Sequence, residues 1–484
     1  MTATSPAPAK PKFEAPHPGS KAMPRWDTGE LIDAPIFTTR NLLQMIGPGL
    51  VMGAAAIGGG EWLAGPAVTA KYGGALLWVA AVSILFQVIY NIEISRYTLY
   101  TGEPIFTGKF RLLPHPMFWL LLYLALDWGS VAPYLAVNAA VPLESMILGR
   151  LPEAGTNVGD WWFHKGVCTG LYLIIMVPLI FGGKIYDALK IVMGTKLVVV
   201  VGFLLLMGLF FARPASWVEI FTGFLKVGTV PVVVEQPPET PPSGDAAAPG
   251  GEIKNTENVF ITLFTEGRLP KLDWSLIAVI AGLAAIAGNG GLTNTPISNF
   301  TRDQGWGMGH HVGAIPSVVG GHGITLSHVG CVFDVNEETL PRWRRWYRHI
   351  CRDQLVVWMG ACIIGCALPS ILSVGFLPRG TDVSGYNVAA MTAEATRKQG
   401  IEPLSGTLVT ATGLDRVIAG PRLGAFFFYC TLFCGFMVLI TSQTTTMDGF
   451  CRRWVDVIWT ASAKMRELDT SKIRYVYFTL LCIY

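Results

Sequence analysis

Residues 46–66 read IGPGLVMGAAAIGGGEWLAGP. This apolar stretch is long enough to enter a membrane, but Gly58, Gly59, Gly60 and the carboxylate of Glu61 interrupt it. Consecutive glycines weaken a helix, and a carboxylate at membrane depth is costly unless it faces a cavity, a partner charge or a bound cation. The stretch therefore predicts an interrupted membrane helix with Glu61 at a functional site.

A second stretch of the same character lies in the other half of the chain. Residues 283–296 read LAAIAGNGGLTNTP, which is again apolar sequence broken by glycines and polar side chains. Two interrupted spans, one in each half, are the sequence sign of an inverted-repeat secondary transporter whose substrate binds at the breaks. We expect residues 58–61 and 289–293 to be non-helical and to face each other.

The composition predicts a polytopic membrane protein. Hydrophobic residues make up 51% of the chain and charged residues only 14%, which is too apolar for an ordinary soluble domain. The net charge of +3 does not indicate nucleic-acid binding, because the basic residues lie between apolar runs and form no basic face. No nucleophile, acid and base occur at a recognisable spacing, so neither an enzyme nor a cofactor is expected.

Apolar runs long enough to span a bilayer define the predicted topology. They cover residues 42–70, 75–99, 117–148, 166–182, 188–212, 275–300, 354–377 and 421–447. A ninth run begins at Ile473 and reaches the last residue after about 18 Å of helix, which is short of a bilayer core of roughly 30 Å. The chain is therefore expected to be truncated in helix 9.

Charge and composition divide the chain further. Basic residues concentrate on one side of the predicted spans, which places the N-terminus in the cytoplasm of a plasma-membrane protein. We expect a disordered cytoplasmic tail (1–40), a first membrane repeat of spans 1–5 (41–212), an extracytoplasmic Pro-rich insertion (213–274) and a second membrane repeat (275–484) with a His-bearing cytoplasmic loop (301–350). Four histidines of that loop, His310, His311, His322 and His328, match no standard metal-ligand spacing, so we interpret them as incidental.

The first two spans carry a family resemblance. They contain Gly-Pro-Gly, eight apolar residues, a four-residue break, a tryptophan and, after fifteen residues, a second tryptophan, and they end in Arg96 and Thr101-Gly102. This register, which includes Trp62 and Trp78, resembles the Nramp family of divalent-metal transporters. The resemblance implies an all-α LeuT-type fold, with five spans repeated in inverted orientation and helices 1 and 6 broken. It also implies a metal cation held at the two breaks, with the lipid bilayer as the surroundings.

The chain departs from the family at the metal site itself. Where the family has Asp-Pro-Gly-Asn, this chain has Gly58 to Glu61, and where the family has Met-Pro-His, it has Leu292-Thr293-Asn294. The family's second histidine on the sixth span falls at Asn299, and its span-three acids are reduced to Asp127. A soft thioether ligand and the proton-relay histidines are thus absent from this register.

The remaining candidate ligands are oxygen donors. The predicted metal residues are Glu61, Gly58, Asn289, Thr293 and Asn294, and the predicted gate or cavity residues are Asp127, Gln443 and Thr444. Carboxylate, amide and hydroxyl oxygens favour hard ions such as magnesium or manganese. Glu61 has a second interpretation as a helix cap, and the polar side chains have one as interhelical hydrogen bonds.

Two other functions stay open for the chain as a whole. An organic-substrate symporter of the same fold would hold a carboxylate at the half-helix N-termini and an amine at Glu61. A non-transporting membrane receptor or scaffold would explain the lost ligands.

Overall fold

The computed structural model describes residues 13–17, 19–36, 47–153, 155–181, 183–233, 256–275, 277–381, 390–401 and 420–484. The helices of the first half are α1 (Pro48–Ala56), α2 (Gly65–Tyr72), α3 (Trp78–Thr101), α4 (Ile105–Phe110), α5 (Pro116–Asp127), α6 (Tyr134–Leu148), α7 (Val158–Ile174), α8 (Val177–Ile180), α9 (Ile185–Phe211) and α10 (Pro214–Gly223). Those that follow are α11 (Val259–Glu266), α12 (Ile277–Ile286), α13 (Pro296–Asp303), α14 (Gly309–Val312), α15 (Thr339–Arg352), α16 (Met359–Phe376), α17 (Met391–Ile401), α18 (Pro421–Ala461), α19 (Ala463–Arg466) and α20 (Ile473–Ile483). Short strands β1 (Asp27–Thr28) and β4 (Cys331–Val332) pair in parallel, and β2 (Thr229–Pro231) pairs with β3 (Thr256–Asn258) in antiparallel orientation.

Six stretches of the described helices are long and apolar enough to cross a membrane. They are Trp78–Thr101, Pro116–Leu148, Val158–Ile180, Ile185–Phe211, Thr339–Phe376 and Pro421–Thr460. They correspond to predicted spans two, three, four, five, seven and eight, while the first and sixth are interrupted, as predicted. The fourth starts earlier than its apolar run, because the Asn157 side chain caps α7 by accepting from the N–H groups of Gly159 and Asp160.

The outer surface of these helices is apolar. On α9, Ile191 and Val198 are 71% and 75% exposed, whereas Tyr186, Met193 and Lys196 on its other side are buried. Large apolar side chains that face outward are stable in lipid and not in water. The prediction of an integral, multi-pass membrane protein is therefore confirmed.

The interrupted spans lie in the middle of the helix assembly. α1 packs against α9 and α16, and α2 packs against α16. α12 and α13 both pack against α3. The long helix α18 packs against α6, α9, α17 and α20. It also contacts α1 and α13, so it runs beside both interrupted spans.

Part of the N-terminal tail is packed, which corrects the prediction of disorder for residues 19–36. β1 joins β4, and Leu31 is fully buried. The indole Nε1 of Trp346 donates to the carbonyl of Ile32 at 2.8 Å. The short apolar segment around Leu31 packs against α15. The tail as a whole contains few apolar residues, so its average composition does not reveal this segment. Residues 1–12, 18 and 37–40 of the predicted tail, residues 41–46 at the start of the predicted first repeat, and most of the Pro-rich centre of the predicted insertion lie outside the described residues.

Two histidines of the 301–350 loop, His311 and His328, make structural contacts. The ring of His328 stacks on Trp459 with ring centroids 4.0 Å apart, and its Nε2 lies 3.0 Å from the carbonyl oxygen of Leu468. His311 contacts the carbonyl of Glu30 in the tail. Within the described part of the chain, no group of three or more His, Cys, Asp or Glu side chains is arranged to hold a metal ion.

A network of buried ion pairs joins α13 to α18. Its members are Arg302, Asp303, Asp448, Arg452 and Asp456. Arg302 Nη1 lies 2.6 Å from Asp456 Oδ1, and Arg452 pairs with both Asp303 and Asp448. All five side chains are almost fully buried, so separating these helices would expose charges to an apolar environment.

Candidate functional site

The first helix break lies at residues 57–58. α1 ends at Ala56, and Gly58 brings the backbone close to α18: a Cβ at Gly58 would lie 2.8 Å from Ser442 Oγ. The chain then enters a wide π-helical turn, Gly59–Ala64, before α2 begins. The expectation of a non-helical segment at 58–61 is therefore right for Gly58 and wrong for residues 59–61. An irregular turn at Gly58 is sufficient to end the helix, so the following glycines and Glu61 re-enter helical geometry.

The second helix break lies at residues 287–290. α12 ends at Ile286, and Gly288 and Gly290 have φ values of 88° and 69°, which side chains rarely tolerate. The next residues, Gly291–Asn294, form a 3₁₀ turn, and α13 starts after it. The predicted non-helical stretch 289–293 is correct at its beginning, whereas Thr293 lies in the 3₁₀ turn.

Glu61 joins the two breaks. Its Oε1 accepts the N–H of Gly288 at 2.7 Å, and its Oε2 accepts the N–H of Gly58 at 3.3 Å. The side chain is fully buried. The breaks therefore face each other, as the sequence predicts, and Glu61 acts as a cap on backbone groups that the interruptions leave free.

Gln87 on α3 is the main support of the second break, and the sequence interpretation missed it. Its Oε1 accepts from the backbone N–H groups of Asn289 (3.0 Å) and Gly290 (2.8 Å), and from Asn294 Nδ2 (3.0 Å). Its Nε2 donates to the carbonyl of Ala287 at 2.6 Å. The signal that could have identified it is an amide side chain inside the apolar run of span two, because such a group needs partners in a membrane.

Lys196 on α9 is a second residue that the interpretation missed. It is fully buried, and its Nζ donates to Ser442 Oγ at 2.8 Å. It is a charged residue inside the fifth predicted span, and an intramembrane ionisable side chain is a functional candidate in its own right.

A cavity of about 590 Å³ opens beside the breaks. It is lined by Gly59 and Gly60, which follow the first break, and by Gly288 and Gly290 of the second break. Helix α18 lines it with Ser442, Thr445, Thr446, Gly449 and Arg453. Of the predicted metal residues, Asn289 and Thr293 line the cavity. The other three, Glu61, Gly58 and Asn294, are buried and do not line the cavity, and they make the contacts described above.

The cavity-facing side of α18 corrects two predictions. Gln443 and Thr444 are buried but are not among the lining residues, and Thr444 Oγ1 donates to the carbonyl of Ile440 in its own helix. Their neighbours Ser442 and Thr445 face the cavity instead. Residues 442, 445, 446, 449 and 453 follow helical spacing, so 443 and 444 point to other sides of α18.

Asp127 lies next to the cavity as half of an ion pair. Its carboxylate accepts from Arg453 Nη2 at 2.7 Å, from Trp454 Nε1 at 3.1 Å and from Ser130 Oγ at 2.8 Å. Arg453 lines the cavity, whereas Asp127 does not. The predicted gate residue Asp127 is therefore linked to the cavity by its ion pair with Arg453. Asp127 and Arg453 thus form a pair beside the cavity. Most of the lining is apolar, and its polar side chains other than Arg453 are neutral hydroxyl and amide groups, such as those of Asn289, Thr293 and Thr445.

No protein-family model matches the chain, and no curated protein matches it either. The structure is similar to that of a single-residue variant of the manganese transporter of Eremococcus coleocola, with 11% identity, a TM-score of 0.49, and coverage of 95% of this chain and 72% of that one. It is also similar to the complex of that transporter with an aromatic bis-isothiourea compound, with 11% identity, a TM-score of 0.47, and coverage of 93% and 72%.

Proposed function

We propose that the chain is a LeuT-type secondary transporter, with two inverted repeats of five spans, that moves a divalent metal cation by alternating access. The observation that carries this proposal is the meeting of two interrupted spans at Glu61, beside a cavity of about 590 Å³. Interrupted helices are costly in a membrane, and transporters use them to present backbone groups to a substrate. A plasma-membrane location with a cytoplasmic N-terminus belongs to the same proposal.

The donors of the cavity favour a hard ion that keeps part of its water. Asn289 Nδ2 donates to the carbonyl of Met52 at 3.0 Å. Its Oδ1 is therefore the side-chain atom that can accept a hydrogen bond from a cargo or coordinate a cargo ion. Leu292, which stands where the family has its methionine, packs against the apolar cluster around Phe106 and Phe110. The cavity volume far exceeds the ~30 Å³ share of one water in the liquid, and magnesium usually retains several waters when bound. We therefore propose magnesium or manganese as cargo.

Asn289→Ala is expected to reduce uptake of magnesium or manganese by about tenfold or more, since even outer-shell partners of a metal contribute roughly 10–100-fold in affinity. The measurement is uptake into proteoliposomes followed with an ion-sensitive dye. The matched control is Asn91→Ala, which removes a buried asparagine of α3 that does not line the cavity and should leave uptake unchanged.

A second variant tests the preference for hard ions. Met52 lines the cavity and carries a thioether, so a soft ion would use it. Met52→Leu should leave manganese uptake intact. Strong cadmium uptake that Met52→Leu removes, with no magnesium or manganese uptake in the parent protein, would contradict the choice of a hard ion.

Coupling to protons is expected to be weak. Asn294 and Asn299 do not titrate, and Asp127 is already engaged by Arg453 and Trp454. Metal uptake into liposomes that contain a pH dye should therefore cause little acidification, and Asp127→Asn should not change that signal. Strong acidification in proportion to uptake, retained in Asp127→Asn, would mean that another relay exists, such as the Arg302–Asp456 network.

A small polar organic molecule is the second candidate cargo. The observation that favours it is the combination of a large cavity with charges that are already paired, since a bare divalent ion prefers unpaired carboxylates. Uptake of labelled amino acids, with no uptake of any divalent cation, would establish this candidate in place of the metal.

A further inference from the structure

Lys196 places a positive charge at the first helix break. Its side chain extends from α9 into the space between α1 and α18, is fully buried, and donates to Ser442 Oγ at 2.8 Å. A buried ammonium group is strongly destabilising unless negative groups surround it. The negative groups around Lys196 therefore determine the role of its charge.

The first of these groups is the end of α1. Ser442 Oγ, which accepts from Lys196, itself lies 3.1 Å from the carbonyl oxygen of Ala55 and 3.4 Å from that of Ile57. The break at residues 57–58 takes both carbonyls out of regular helical bonding. The C-terminal end of a helix also carries partial negative charge from the aligned peptide dipoles.

The second group is Glu61. Its carboxylate accepts the N–H of Gly58 at 3.3 Å, Gly58 lies against Ser442, and Ser442 accepts from Lys196, so the two fully buried charged side chains meet the same turn of backbone. The first break thus brings together freed carbonyl oxygens, a negative helix end and a carboxylate. Unwound carbonyls and half-helix ends of this kind are the groups with which interrupted transporter helices bind a monovalent cation.

We propose that the Lys196 ammonium is the resident cation of the first break and fills the place that a dissolved monovalent ion would take between α1, α9 and α18. It compensates the charge of Glu61 and orients the Ser442 hydroxyl, whose one proton is shared between the carbonyls of Ala55 and Ile57. The protein consequently needs no dissolved monovalent ion to hold this break together. The inference concerns the break alone and does not depend on the cargo.

The test is whether removing Lys196 creates a sodium site. The melting temperature of the purified full chain in detergent is measured in sodium chloride and in N-methyl-D-glucamine chloride at equal ionic strength. The parent protein should melt at the same temperature in both salts. Lys196→Ala removes the charge and leaves room for an ion, so it should melt lower in N-methyl-D-glucamine and rise with sodium concentration, since a ligand that binds only the folded state stabilises it.

Lys196→Met is the matched control, because it removes the charge but keeps the space filled. It should melt lower than the parent protein in both salts without responding to sodium. Equal melting of Lys196→Ala in the two salts would overturn the proposal. So would the same sodium response in Lys196→Met, because sodium would then be acting elsewhere.

A double-mutant cycle covers the case in which Lys196→Ala does not fold in either salt. Lys196→Met and Glu61→Gln each leave one charge without its partner, whereas the double variant removes both. The loss of stability in the double variant should therefore be clearly smaller than the sum of the two single losses. Additive losses would overturn the assignment of Lys196 as the partner of Glu61.

Discussion

Glu61→Gln is expected to lower the free energy of unfolding by about 3–5 kcal/mol, the usual cost of leaving a buried charge uncompensated, and to abolish uptake. Two effects combine. The Lys196 ammonium loses its compensating charge, and glutamine offers one oxygen where the carboxylate offers two to the N–H groups of Gly58 and Gly288. The two interrupted spans are then no longer held together at this point.

The measurement is denaturant unfolding in detergent micelles, together with uptake into proteoliposomes. Glu93→Gln is the control, because Glu93 is also paired with a cation, Arg96, but its side chain is 47% exposed. Exposed pairs of this kind contribute roughly 0–1 kcal/mol. Equal stability of the two variants would show that Glu61 does not fasten the breaks.

Gln87→Leu should lower the free energy of unfolding by about 2–5 kcal/mol. Each buried group left unpaired costs ~1–3 kcal/mol. Water in the cavity can pair with the groups that lie next to the cavity, so the total is smaller than the full sum. Leucine fills nearly the same volume but cannot accept from Asn289, Gly290 and Asn294, nor donate to Ala287. The second break would lose most of its support from α3. Uptake should fall together with stability.

Gln443→Leu is the matched control for this change. Gln443 is also fully buried, but its Nε2 makes one long contact, 3.3 Å to the hydroxyl of Tyr484, and its Oε1 has no hydrogen-bond partner among the described residues. Its replacement should change stability by no more than about 1 kcal/mol, the net contribution of an ordinary hydrogen bond. If both glutamines behave alike, the support assigned to Gln87 is wrong.

Local sequence was sufficient to find the helices and their breaks. The spans follow from the length of the apolar runs and the breaks from the glycine runs. The predicted breaks agree with the structure within a few residues, whereas the fourth, seventh and eighth helices extend 8 to 15 residues beyond their predicted apolar runs. The exact end of the first break could not, because it depends on the contact of Gly58 with Ser442, a residue on a distant helix.

The partners of the breaks were harder to predict. Gln87 and Lys196 lie in spans that read as ordinary apolar helices, and their roles depend on which helices the fold brings together. The signal was nevertheless present, since each is a strongly polar group at membrane depth. The sequence singles out Glu61 as a carboxylate at membrane depth and leaves ligand and cap as alternatives, and in the structure both of its oxygens accept backbone N–H groups.

The long helix α18 has a mechanical consequence. It runs without interruption for 41 residues, or about 60 Å at 1.5 Å per residue, twice a bilayer core of roughly 30 Å. One stretch of it faces the cavity, and the next turn is fastened to α13 by Arg302, Arg452 and their aspartates. A displacement of α13 therefore cannot be confined to a hinge at the glycines, because the ion pairs make α18 move with α13. Since α18 is one continuous helix, this motion extends beyond the membrane surface.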